Sequence, residues 1–338
     1  MKIAIHPRKG SFSERWIEYC KKQSIPYKLV NAYETDIINQ LDGCCIFLWH
    51  HHHGIYKDAL VAKKILFSLE HSGVRVFPDF KTGWHFDDKV AQKYLLESIG
   101  APLVPSYVFY NKKLAFDWAS KTVYPKVFKL ASGAGAVNVQ LINSRHDAIK
   151  VINKAFGNGF SHSDRYQYFK DKISSYKAGR GHISHVLKAG YRLFFPVNSD
   201  SALPNEKGYV YFQEFIPNNS FDIRVIVIKD KAFAIKRKVR TGDFRASGSG
   251  EIIYDIAKID IRCIKIGFET SEKLKADCLA YDFVFDEKDN PLIVEISYGF
   301  SIEAYDKCTG YWNRDLQWND CTINPQEWMV ENLIKELL

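Results

Sequence analysis

Residues 125–137 read Pro125-Lys-Val-Phe-Lys129-Leu-Ala-Ser132-Gly133-Ala-Gly135-Ala-Val137. An apolar strand ends on a lysine, a loop of small residues follows, and a second apolar run begins. Small residues between two strands let backbone N–H groups come close to phosphate oxygens, while the lysine supplies charge. A plain flexible hairpin has the same composition. Two other phosphate loops do not fit, because no Gly-Lys-Ser/Thr opens a helix and no Gly-x-Gly-x-x-Gly feeds one.

Upstream, short apolar runs (Lys2 to His6, Tyr27 to Val30, Cys44 to Trp49, Val74 to Phe77) alternate with helical stretches (Ser13 to Lys22, Tyr56 to His71). That order predicts a parallel, Rossmann-like α/β unit over residues 1–86. From Asp88 a helix follows, with Val90, Tyr94, Leu95 and Ile99 on one face and Gly100 closing it before Pro102. Strand-like runs then surround the quoted hairpin (Ser106 to Tyr110, Val127 to Leu130, Val137 to Ile142), and Ser144 with Asp147 opens a helix in the manner of a capping box. A polar, basic stretch from about Gly157 to Lys207 separates these from longer strands at Tyr209 to Ile216, Ile223 to Ile228, Leu279 to Phe285 and Leu292 to Ile296. The second part therefore reads as α+β, with lobes over 87–206 and 207–338.

The bulk numbers exclude more than they identify. A chain of 338 residues suffices for two or three units, each with a core. The N-terminus has no signal-peptide pattern, and no run approaches the ~18 apolar residues of a membrane span, so a cytoplasmic protein without a transmembrane segment is expected. Seven cysteines with no Cys-x-x-Cys pair point to reduced core thiols rather than a disulfide or zinc framework. A net charge of +8 with no nucleic-acid module favours small anionic ligands and no nucleic acid.

The 125–137 segment resembles the phosphate-covering hairpin of the ATP-grasp ligases, which include glutathione synthetase, D-alanine:D-alanine ligase and the ribosomal-protein glutamate ligases. Four further segments agree with that family in order. Asp88-Lys89 is similar to its early Asp-Lys motif, and the resemblance implies that Lys89, like Lys129, reaches the nucleotide phosphates alongside Ser132, Gly133 and Gly135. Gln213-Glu214-Phe215-Ile216 looks like the hinge that pairs with the adenine edge, and Asp222, eight residues after Glu214, occupies the place of the ribose-binding acid. Arg237 and the later Arg245, in a loop carrying Gly248 and Gly250, look like the arginine-rich strand and loop whose guanidinium groups stabilise developing charge.

The last segment is the most specific chemically. Asp282 and Glu295 sit in otherwise apolar strands, where a carboxylate is costly unless it is paired or coordinated. The family holds two Mg²⁺ with an acid on the first strand and a glutamate then an asparagine on the second; here Ser297 stands in the last place. The resemblance thus implies an α/β N-terminal domain followed by an ATP-grasp fold of two lobes with the nucleotide between them. ATP and one or two Mg²⁺ ions, replaceable by Mn²⁺, are the implied cofactors, with Asp282, Glu295 and Ser297 on the metal.

Three features have competing readings. His50 to His53 follow a strand end where open sheets place ligands, and read as a substrate contact, a metal site or plain surface. The stretch from Asp164 to Arg192 interleaves Lys170, Lys172, Lys177, Arg180 and Lys188 with tyrosines, and suits a lid, an oligomer contact, an acidic partner or peripheral docking on an anionic membrane. Aromatic residues after Ser297 (Tyr298, Tyr305, Trp312, Trp318) either line an acceptor pocket or cap the core. The expected function is a carboxylate–amine (or thiol) ligase for small molecules, such as an amino acid joined to a sugar acid. An ATP-binding regulator with decayed chemistry and a phosphotransferase acting on a hydroxyl are the alternatives.

Overall fold

β1 (Ile3–Ile5) and β3 (Ile46–Leu48) are apolar and buried at every position. With β2 (Tyr27–Leu29) and β4 (Arg75–Phe77) they form a parallel sheet in the order β2-β1-β3-β4. Burial on both faces explains the unbroken hydrophobicity of its central strands. Ala4, Phe47 and Val76 pack with Ala62, Leu66 and Leu69 of the helix Tyr56–His71, while Ile3, Ile5, Ile46 and Leu48 join Phe12, Trp16 and Cys20 on the opposite face.

The structure is a computed structural model that describes residues 1–133, 139–161, 182–194, 205–239 and 251–337, with 169, 172, 173 and 176 besides. It divides into two units. Met1–Phe86, Tyr94–Leu103 and Ile216–Leu338 form the first; Asp87–Lys93 and Val104–Phe215 form the second.

In the first unit a second sheet is antiparallel, in the order β13-β12-β9-β10-β14-β15, with β11 (Ile252–Ile253) on β10. Its strands are β9 (Phe221–Ile228), β10 (Lys231–Lys238), β12 (Cys278–Phe285), β13 (Pro291–Ser297), β14 (Gly310–Trp312) and β15 (Trp318–Asp320). The helix Ile261–Leu274, capped by the Asp260 carboxylate, lies close on one face of this sheet. A Cβ at Gly267 would stand 3.1 Å from Val227 Cγ2, so glycine permits that approach.

The second unit holds the sheet β5-β8-β6-β7: β5 (Ser106–Phe109), β6 (Lys126–Lys129), β7 (Gln140–Ile142) and β8 (Val210–Glu214). Phe128, Val210 and Phe212 pack there against the helices Lys112–Ala119 and Arg145–Ala155; Ser144 caps the latter as its sequence predicts. β8 differs in place from the expected C-terminal lobe over 207–338. It pairs with β5 and β6, so its backbone hydrogen bonds tie residues 210–214 to the hairpin sheet.

All seven cysteines are free. Among the described residues no helix is long and apolar enough to cross a membrane. Tyr298, Tyr305 and Trp312 are core residues, a cap rather than a pocket wall, whereas Trp318 is partly exposed.

His51 and His85 are buried, and burial pushes their pKa values down to about 3 and about 4. Unfolded histidine titrates near 6.5, so between that pH and about 4 the unfolded chain holds the extra protons, and stability is lost as pH falls. Urea unfolding of the whole chain should therefore weaken from pH 7 to pH 5, by up to about 1.4 kcal/mol per pH unit for each histidine. His51→Gln should flatten that slope; an unchanged slope in the variant refutes the assignment.

Candidate functional site

In the second unit residues 131–133, where the small-residue loop begins, are held from three sides. Asp88 caps the helix Lys89–Ser98, accepting from the Ala91 N–H at 2.9 Å, which gives the aspartate of the Asp-Lys pair a structural task. Lys89 donates its backbone N–H to the Ala131 carbonyl (2.8 Å) and its Nζ to the Gly133 carbonyl (2.6 Å). The Gly133 N–H donates to Asp87 Oδ1 at 2.8 Å, and Gly133 has φ +101°, a conformation in which only glycine is unstrained. Glu206 accepts from the Ala131 N–H (3.1 Å), the Ser132 hydroxyl and the Tyr209 hydroxyl.

Lys129, only 7% exposed, donates to Gln213 Oε1 at 2.6 Å across the sheet. Gln213 in turn donates to Ser106 Oγ at 3.2 Å. Successive strand side chains point to opposite faces, so Glu214 turns away from this pair. It accepts twice from Lys126 Nζ (2.7 and 2.6 Å) and once from the Tyr107 hydroxyl (3.0 Å). Lys129 and Gln213 thus share one face of the sheet, and Glu214 is engaged on the other by a buried lysine. Phe215 and Ile216 stand where one unit ends and the other begins.

In the first unit strand register assembles a charged row on the sheet face opposite the helix Ile261–Leu274. Glu295 on β13 is opposite Asp282 on β12, Asp282 is opposite Arg224 on β9, and Asp222 is opposite Arg237 on β10. A register shift lies directly after the Asp282–Glu295 pair. Such bulges re-aim side chains at functional sites.

Arg237 grips Asp222 with both arms, Nε to Oδ1 at 2.7 Å and a terminal nitrogen to Oδ2 at 2.5 Å, and stands 3.0 Å from Asp282 Oδ1. Arg224 reaches Asp282 Oδ2 and the Gly299 carbonyl, each at 3.4 Å. Burial raises the Asp222 pKa to about 6 against the pull of Arg237, with the Asp282 charge adding to the rise. Burial alone would lower the Arg237 pKa; Asp282 and Asp222 more than reverse this and leave it raised.

This donor set suits a hard divalent ion. Three carboxylates (buried Asp222 and Asp282, half-buried Glu295) face two guanidinium groups in one row, so the excess charge is negative. Among the described residues no three His, Cys, Asp or Glu side chains form a metal cage. Mg²⁺ needs none, since it is usually held by one or two carboxylates and completed by water and substrate phosphates. The Ser297 hydroxyl is turned into its own loop, donating to the Gly299 carbonyl (3.0 Å) and accepting from the Gly299 N–H (3.1 Å).

Arg245 and Gly135 lie outside the described residues, as do Gly248 and Gly250. His50 and His51 are buried, which removes them from the surface reading. Sequence reasoning notes Arg224 only as part of an Asp-x-Arg triplet, without a role, and misses Lys126, Glu206 and Asp87 as members of these clusters. Arg224 had a signal, for an Asp-x-Arg triplet on a strand puts both side chains on one face. Glu206 had none, being 75 residues from the Ala131 N–H that it accepts.

The model of the RimK-like ATP-grasp domain matches residues 194–314. Over almost their whole length, the residues superpose on a RimK domain ATP-grasp protein from Sphaerobacter thermophilus with TM-score 0.56 at 14% identity, covering 99% of this chain and 100% of that one. Biotin carboxylase from Campylobacter jejuni, in complex with β,γ-ATP, gives 0.60 at 13% identity over 98% of this chain and 70% of the other. A D-cycloserine synthetase gives 0.59 at 12% identity, with coverages of 98% and 100%. A comparison with curated protein sequences finds no match. Residues 194–314 thus match the RimK-like ATP-grasp domain, and the fold of the chain is similar to that of these ATP-grasp structures.

Proposed function

We propose that this protein is an ATP-dependent ligase that joins a carboxylate to an amine or thiol. A substrate carboxylate oxygen attacks the γ-phosphorus of ATP and ADP leaves; the amine or thiol then adds to the acyl carbon, phosphate leaves, and the nucleophile loses its proton. The observation that carries this reading is the largely buried row Asp282–Arg224 with half-buried Glu295 and Arg237 beside it, where strand register sets carboxylates and guanidinium groups next to each other.

Each side chain then has a task. Lys89 and Lys129 hold phosphate oxygens, and the Ser132–Gly133 backbone covers them. Gln213 and the Phe215–Ile216 backbone meet the adenine edge, and Asp222 keeps Arg237 extended or receives the ribose. Arg237 and Arg224 neutralise charge developing on the transferred group, a preorganised arrangement that needs no movement during the reaction. Asp282 and Glu295 would hold Mg²⁺, which would supply charge to neutralise the phosphates. No protein nucleophile is needed.

One observation favours a second reading, a nucleotide-binding regulator. The Ser297 hydroxyl is committed to Gly299, which leaves the second ion without its usual amide ligand. The two readings separate on incubation with ATP, Mg²⁺ and pooled carboxylates and amines. The ligase releases phosphate only when both pools are present, and Lys129→Met should weaken ATP binding about tenfold or more. Tight ATP binding without turnover in any pool supports the regulator, and a phosphorylated product without free phosphate supports transfer to a hydroxyl.

A further inference from the structure

In the sheet order β2-β1-β3-β4 the chain leaves β1 toward one edge and β3 toward the other. Open α/β sheets take ligands at such a switch point, outside the carboxyl ends of the strands. Here the loop after β1 brings Arg8 and the start of the helix Phe12–Lys22, and the loop after β3 brings His50. The two loops are joined by a hydrogen bond from the Arg8 guanidinium to the His50 carbonyl (3.2 Å).

The His50 ring is fixed. It stacks on Phe12 with centroids 3.7 Å and planes 8° apart, and its Nδ1 accepts the Phe12 N–H at 3.1 Å. With Nδ1 accepting, the ring proton is on Nε2. The residue is 8% exposed, and burial holds its pKa well below 6.5, so the ring is a neutral donor. Nε2 has no hydrogen-bond partner among the described residues, and Arg8 Nε is buried in the same condition. The acids nearby are already engaged. Asp58 accepts from the Tyr33 hydroxyl and the His52 N–H, and Glu14 from the Gly10 N–H.

Nε2 faces Gly299: a methyl group built there would stand 3.5 Å from it. The Gly299 carbonyl is the one that Arg224 reaches from the Asp282 row. The neutral donor His50 Nε2 thus stands beside Gly299, whose carbonyl Arg224 reaches, and the charged Arg8, bonded to the His50 carbonyl, has its Nε unclaimed among the described residues. We propose that Arg8 and His50 Nε2–H seat the carboxylate of a small anionic substrate at this switch point, on the Arg224 side of Gly299. The assignment rests on the reading of the protein as a carboxylate-activating ligase. His50 acts as a positioning residue.

The test uses the full-length protein labelled with ¹⁵N-histidine and titrated with acetate, L-glutamate and citrate, with Mg-ADP binding followed separately by thermal shift. At least one of the three carboxylates should move the His50 Nε2 resonance saturably. Arg8→Met should weaken that binding about tenfold, the loss of one hydrogen bond to a charged group. Gly299→Ala should do the same while folding normally, because its methyl group makes ordinary contacts (3.5 Å to His50, 3.6 Å to Phe86) and only covers the donor. Silence of the His50 resonance with all three carboxylates, or undiminished binding in both variants, overturns the proposal. Carboxylate binding without a Mg-ADP shift keeps this site and defeats the ligase reading; a Mg-ADP shift with a silent His50 does the reverse.

Discussion

Replacing Glu295 by Gln is expected to lower ATP turnover by about 10²- to 10³-fold, the scale for losing one preorganised charge-stabilising group, with the fold left in place. Glu295 is half-buried on β13, in register with Asp282 on β12. The amide keeps the shape of the carboxylate, replaces one acceptor oxygen by an NH2 donor, and removes one negative charge from a row of three carboxylates and two guanidinium groups. What would be lost, on the proposed reading, is a hard anionic ligand of the kind a divalent ion at the phosphates requires. Steady-state ADP formation together with far-UV circular dichroism measures both effects. Activity within twofold of the parent would show that Glu295 holds nothing the reaction needs.

Arg237→Met should have the largest effect on stability. The guanidinium binds Asp222 through two hydrogen bonds and stands 3.0 Å from Asp282, with every partner largely out of water. Removing one member of a buried ion cluster leaves uncompensated charge and costs about 3–5 kcal/mol. The sign with pH is specific. Burial already raises the Asp222 pKa to about 6, and Arg237 is the main influence opposing it. Without Arg237 the pKa rises further above its unfolded value, so stability is greatest at low pH and is lost as pH climbs through the folded pKa. The deficit relative to the parent should be smaller at pH 5 than at pH 8, and comparison at each pH cancels the opposing effect of His51 and His85. A deficit that grows toward pH 5 would contradict this account.

Much of the architecture was readable in the sequence because periodicity and caps act locally. The alternating runs before residue 86 announced the parallel sheet, and Ser144 announced its helix. That Asp282 and Glu295 have charged neighbours was readable for another reason, since a charged residue inside an apolar strand demands an explanation. What pairing decides could not be read. Gln213 and Glu214 are adjacent in sequence, yet the strand sends them to opposite faces, one to Lys129 and the other to Lys126. Asp222 reads as a ribose ligand in the sequence, and only the β9–β10 register shows that it also stands beside Arg237. Four consecutive histidines read as surface or ligand; the aromatic core formed by Phe12, Phe86 and Tyr298 draws two of them inside. Each of these outcomes depends on partners tens to hundreds of residues away.

The central claim is that a carboxylate is activated by phosphorylation. It is tested most directly by supplying the carboxylate pool labelled with ¹⁸O, with ATP, Mg²⁺ and the amine pool, and analysing the released phosphate by mass spectrometry. Passage through an acyl phosphate transfers one ¹⁸O from the carboxylate to each phosphate formed, and Glu295→Gln should suppress label and phosphate together. Phosphate released without ¹⁸O would contradict the account.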